Sequence, residues 1–170
     1  MSSEHISYPK IGQFRNAIKS ITREYRFIGL DVEGKPIYDE DKLLPTLKAH
    51  GTIKLHGTNA SVKYNSIDGL RTQSRNNSFE LDKVDSHMGF TTFVITNKVV
   101  WLDMINQLSN TYNVDLTCNT ITIFMEWVGK GIQKGVGVSE LDKMAVIFSR
   151  AKVTPIDENL DSYWIPTKIN

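Results

Sequence analysis

Asp68-Gly69 stands between two short runs of strand-forming residues, Ser61–Ile67 and Leu70–Arg75, and this arrangement does most to limit the fold. A turn of that composition reverses the chain tightly enough to pair its flanks antiparallel. Arg26–Val32 and Lys35–Tyr38 flank Glu33-Gly34 in the same manner and read as a second hairpin. Thr120–Val128 alternates Ile121, Ile123, Met125 and Trp127 with Thr122, Phe124, Glu126 and Val128. Side chains of a strand point alternately to opposite faces, so this run predicts a strand with Glu126 opposite the larger apolar set. Ile53–Lys63 reads as an extended segment crossing a polar His56-Gly57-Thr58-Asn59 turn. Lys143–Val153 is a further β-rich run beyond a glycine-rich connection, Gly129–Asp142. Helical spacing is found after Pro9, at Phe14, Ile18, Ile21 and Tyr25, and over Thr92–Leu108, with Trp101, Met104, Ile105 and Leu108 on one face. Asn76–Gly89 reads as a polar loop. Strand pairs on hairpin-scale loops, with few helices, predict an α+β fold of mainly antiparallel sheets with flanking helices, and not a βαβ alternation.

The chain has 170 residues, 40% of them hydrophobic and 23% charged, which suits one folding unit with a real core. Its 20 basic and 19 acidic side chains exclude a strongly basic nucleic-acid coat and a polyanionic tail. A local basic groove stays open, because groove fields depend on placement rather than totals. Cys118 is the only cysteine, so neither an intramolecular disulfide nor a cysteine-based zinc site can form. The N-terminal residues carry no apolar run of signal-peptide type, and no long apolar stretch follows. The expectation is a soluble chain of a reducing, intracellular (cytoplasmic) compartment with no membrane partner.

Gly129-Lys130-Gly131-Ile132-Gln133-Lys134-Gly135-Val136-Gly137 invites a phosphate-loop reading, but Lys134 stands where both the P-loop and the dinucleotide pattern need glycine. Its two lysines still suit an anion-contacting loop. His5, His50, His56 and His87 lack metal-binding spacing, and no G-x-S-x-G elbow occurs. His5, His50 and His87 read as surface or turn histidines. His56 differs because of its neighbours.

Thr52-Ile53-Lys54-Leu55-His56-Gly57-Thr58-Asn59-Ala60 places a lysine inside an apolar run, just before a Gly/Asn turn. Burial disfavours a charged amine. Lys54 therefore either snorkels from a strand end or is held neutral as a nucleophile by burial and nearby cations. Lys54-Leu55-His56-Gly57-Thr58-Asn59 resembles the K-x-H-G-T-N form of the K-x-x-G nucleotidyltransferase motif, typical of ATP-dependent RNA ligases of the RNA ligase 2 type. Ser74-Arg75-Asn76 resembles that family's second motif. Phe124–Gln133, with Glu126 at its centre, resembles the third. Val146-Ile147-Phe148 stands where the family has an aromatic residue against the base. The four blocks keep the family's order over roughly residues 5–150.

The resemblance implies a nucleotidyltransferase (adenylation) domain of the ATP-grasp-like ligase type over residues 1–170. It implies a ligase that joins RNA 5′-phosphate and 3′-hydroxyl ends, as in RNA repair, through lysyl-AMP. Lys54 would be the nucleophile and His56 would serve later steps. Ile53, Lys54, Asn59, Arg75, Glu126 and Phe148 would bind ATP. Mg²⁺ or Mn²⁺ is the implied ion, with no ligand residues assigned. The partners are ATP and nicked or broken RNA. The family's two later motifs, a metal-associated glutamate strand and a lysine pair, have no counterpart after Val153. The expectation is thus a truncated ligase that adenylylates slowly or not at all unless a C-terminal segment or second chain completes it. The alternatives are a non-catalytic nucleotide- or RNA-binding module, or another K-x-x-G enzyme such as a DNA ligase or capping enzyme.

Overall fold

A computed structural model describes residues 5–82 and 86–168. The chain, read above as one folding unit, divides into two compact units, Pro9–Ile53 and a larger one formed by the N-terminal residues to Tyr8 with everything from Lys54 onward.

In the smaller unit, helix α1 (Phe14–Arg26) follows Pro9 where the apolar spacing predicts it. β1 (Phe27–Leu30) and β2 (Pro36–Tyr38) form the expected hairpin. Asp31 closes its turn by accepting the Glu33 and Lys35 amides, each at 2.8 Å. No residue of α1 is buried. The helix is joined to the hairpin through Arg26 to Glu40 and through the Arg23 guanidinium, which donates to the Tyr38 hydroxyl and lies over its ring.

The larger unit is one six-stranded sheet backed by two helices. Its strands are β3 (Thr58–Asn65), β4 (Gly69–Ser74), β5 (Ser78–Phe79), β6 (Asn119–Val128), β7 (Met144–Pro155) and β8 (Tyr163–Pro166). They lie in the order β5-β4-β3-β6-β7-β8, every neighbouring pair antiparallel. The β3–β4 turn spans three residues rather than the expected Asp68-Gly69 pair. Asn65 accepts the amides of Ile67 and Asp68, and Gly69 takes a left-handed φ of +71°, a conformation glycine adopts without a Cβ penalty.

Helices α2 (Ser86–Thr96) and α3 (Lys98–Tyr112) replace the single helix read over Thr92–Leu108. The chain breaks at Asn97, whose side chain donates to the Phe93 carbonyl at 2.8 Å and so competes with the helical ladder. Trp101, Ile105 and Leu108 of α3 are buried as their spacing demands. They meet Phe90 and Val94 of α2 and the apolar row Ile121, Ile123, Met125 and Trp127 of β6. Such side chains contribute roughly 1.5–3 kcal/mol each on full burial, which makes this face the core of the unit.

Further expectations need correction. Asn76–Gly89, read as a polar loop, contains β5, which pairs with the end of β4, and the opening residues of α2. The extended run begins at Thr58, not Ile53; residues 43–56 are irregular, and Ile53 is 90% exposed. The pairing of β3 with β6 begins at Thr58, so Ile53 and Leu55 have no neighbouring strand to join. No strand is read from the sequence past Val153, yet β7 runs on to Pro155 and β8 follows on its edge, with Ile165 buried. No helix among the described residues is long and apolar enough to cross a membrane.

Candidate functional site

The sheet face away from the helices carries the residues that the motifs single out. On β3 and β6, Asn59 pairs with Glu126, Ser61 with Phe124 and Lys63 with Thr122, so these side chains share that face. Ser74, the last residue of β4, pairs with Ala60, which brings Arg75 to the level of Asn59. On the other flank, Val146 of β7 pairs with Glu126. Three segments far apart in sequence thus deliver Asn59, Arg75 and Glu126 to one end of one sheet. Strand register alone does this.

Glu126 also holds the lysine-bearing loop. Its Oε1 accepts the Gly57 amide at 3.0 Å, and the Gly57 carbonyl accepts from Gln133 Nε2 at 3.2 Å. The peptide groups on both sides of Gly57 are therefore tied to the third block. The residue must be glycine: an added Cβ would lie 2.6 Å from Val128 Cγ1 and closer still to the Trp127 carbonyl oxygen. That close approach gives a steric reason for the glycine of the K-x-x-G pattern. Gly129 has a similar one, since a Cβ there would meet Lys143 Cα at 2.7 Å, with φ at +122°.

Lys54 lies three residues before this anchor, exposed and in irregular chain. The buried, strand-borne amine considered from sequence is not found. His56 and Arg75 are exposed as well, and Arg75 has no hydrogen bond or ion pair among the described residues. Lys130 and Lys134 are exposed on the connection that carries Gln133. Strand register thus brings Arg75 level with Asn59 and Glu126, and the Gly57 bond ties the segment carrying Lys54 and His56 to the Glu126 carboxylate. Among the described residues no three His, Cys, Asp or Glu side chains converge where a metal could sit.

Phe148 is half-buried within an irregularity of β7, where Phe148, Ser149 and Arg150 together span the position of Phe124. Bulges of this type re-aim side chains. The Phe148 ring packs against Tyr8, with centroids 5.0 Å apart, and Tyr8 also meets Phe124 and Trp164. Tyr8 arrives on a segment that crosses this face, clamped where Gln73 bonds both the Ile6 amide and the Ile6 carbonyl. His5 Nε2 donates to the Ser74 carbonyl. Nothing in the sequence pattern pointed to Tyr8.

His87, read as a surface or turn histidine, is half-buried. Its Nε2 donates to the Asn59 carbonyl at 3.0 Å, and its ring stacks near Phe79. Burial holds its pKa below the usual histidine range, and the bond to Asn59 offsets part of that shift. His87, Met88 and Gly89 all take left-handed backbone angles. The Met88 carbonyl accepts from Lys143 Nζ at 2.9 Å and from Trp127 Nε1 at 3.4 Å. The start of α2 thereby touches β3, β6 and the chain leading into β7. Gln133 ends the Phe124–Gln133 segment, but its bond to Gly57 spans 76 positions and has no local sequence signal.

No protein-family model matches the chain, and no curated protein matches it.

Proposed function

We propose that this chain is the nucleotide-binding part of an ATP-dependent RNA ligase that works through a lysyl-AMP intermediate. The observation that carries the reading is the Gly57–Glu126 bond. It fastens the Lys54 loop to the carboxylate that stands in register with Asn59, at the end of the sheet that Arg75 also reaches. In this reading the Lys54 amine, having given its proton to solvent, attacks the α-phosphorus of ATP. A nitrogen–phosphorus bond forms, the bond to the bridging oxygen breaks, and pyrophosphate leaves with its electron pair. Arg75 offsets negative charge near the phosphates, Glu126 and Asn59 take the ribose hydroxyls, and Phe148 presents an aromatic surface to the base. Electrostatic groups held in place before reaction are what such a transfer requires. AMP then moves to an RNA 5′-phosphate, and attack by a 3′-hydroxyl releases it.

The exposure of Lys54 favours a second reading, a module that binds nucleotide without chemistry. Incubation with ATP labelled at its α-phosphate, followed by denaturation, separates the two. Label that survives denaturation and disappears in Lys54→Ala and Lys54→Arg supports the ligase, since a guanidinium stays protonated and is a poor nucleophile. ATP protection in a melting assay without label supports the binding module. Preference for GTP points to a capping enzyme. Neither label nor protection refutes both readings.

A further inference from the structure

Helix α1 of the smaller unit carries Arg15, Lys19, Arg23 and Arg26. At 3.6 residues per turn these four fall within an arc of roughly 80°. Phe14, Ile18, Ile21 and Tyr25 lie to one side of that arc, and Glu24, the helix's one acid, lies well away from it. A cleft beside the stripe is lined by Lys19, Arg23, Arg26, Tyr38 and the acid Glu40, among others. Arg26 is held by Glu40, and Arg23 by Tyr38. Arg15 and Lys19 are exposed and have no such partner among the described residues. Successive members of the Arg15, Lys19, Arg23 series are about 6 Å apart along the axis. That spacing lets one side chain after another meet successive phosphates of an extended strand.

We propose that the α1 stripe is a contact surface for the phosphate backbone of single-stranded RNA. Arg15, Lys19 and Arg23 give one face of α1 three cations without a carboxylate partner among the described residues, a local field favouring a polyanion whatever the net charge, while Glu40 offsets Arg26. Arg23 is set in place by Tyr38, so a strand that docks there orders fewer side chains. The apolar row beside the stripe lies out of the phosphates' way. This surface belongs to the smaller unit and does not depend on the nucleotide chemistry proposed for the larger one.

The test uses the full chain and a short fluorescein-labelled single-stranded RNA, read by anisotropy across a salt series. Arg15→Gln with Lys19→Gln should weaken binding at low salt on the order of tenfold. It should also flatten the plot of log K against log salt by roughly 1.4, at about 0.7 for each phosphate that is no longer neutralised. Lys10→Gln with Lys48→Gln removes the same charge from the same unit but off the stripe, and should bind as the parent chain does. Equal weakening in both variants, no change in the stripe variant, or no RNA binding at all would overturn the inference. So would loss of adhesion to phosphatidylserine vesicles with RNA binding intact, which would make the stripe a membrane contact. Circular dichroism checks the fold, and both stripe residues are exposed. If RNA binding follows the stripe while ATP neither labels nor protects the chain, the ligase reading falls and this one stands.

Discussion

Replacing Gly57 with Ala puts a methyl group where the chain entering β3 lies against the end of β6. The new Cβ would sit 2.6 Å from Val128 Cγ1 and nearer still to the Trp127 carbonyl, one a branched side chain packed in the sheet and the other fixed backbone. Neither can swing aside as the end of a flexible side chain could. The start of β3 must instead lift away by about 1 Å, an overpacking response that costs about 1–3 kcal/mol. Lifting also stretches the Gly57 amide off Glu126 Oε1, now 3.0 Å away. Loss of a hydrogen bond to a charged acceptor adds about 1.5–3 kcal/mol. A total of about 4 kcal/mol, in a unit of this size, lowers the melting temperature by roughly 15 °C. Glu126→Gln keeps an acceptor and should cost only about 1 kcal/mol. Because both changes act on one bond, the double variant should lose less than the sum of the two. Thermal unfolding followed by circular dichroism reads all of this. A Gly57→Ala protein melting within about 2 °C of the parent, or additive losses in the double variant, would refute the reasoning.

Lys54→Ala should leave the melting temperature within about a degree of the parent, because exposed substitutions away from special features change stability by less than about 0.5 kcal/mol; a large drop would assign Lys54 a packing role. Gly129→Ala should cost about 2 kcal/mol or more, since its Cβ would strike Lys143 Cα and the Asp142 carbonyl at a φ that suits only glycine, and an unchanged unfolding curve would contradict this. His87 makes stability depend on pH. Its folded pKa lies below the unfolded value of about 6.5, so as pH falls through that value the unfolded chain takes up the proton first. Stability is therefore full above about pH 6.5 and declines below it until the folded pKa is reached. His87→Asn removes the titration while tolerating a φ of +54°, so its melting temperature should fall less between pH 7 and pH 5; parallel curves would refute the assignment.

Much of the fold was legible because its determinants are local. The alternation of Thr120–Val128 sets the two faces of β6 whatever lies beside it, and the spacing of Trp101, Ile105 and Leu108 sets the buried side of α3. The motif glycines were legible as letters but not as causes: Gly57 is demanded by Trp127 and Val128, some 70 positions away. Where a local signal was read alone, tertiary context overrode it. Asn97 splits a continuous apolar pattern by bonding the Phe93 carbonyl, and the apolar run around Ile53 never becomes a strand because no neighbour pairs with it. The short tail strand was invisible because its partner, β7, supplies most of the reason for it to be extended.

By itself the sequence determined the two faces of β6 and the buried side of α3, since those follow from periods of 2.0 and 3.6 residues. Only the tertiary structure decided that Asn59, Arg75 and Glu126 share one end of the sheet, that Gly57 hangs from Glu126, and that Tyr8 packs on Phe148. Strand order and register, set by how whole faces pack on α2 and α3, bring those residues together. No window of the sequence carries that information.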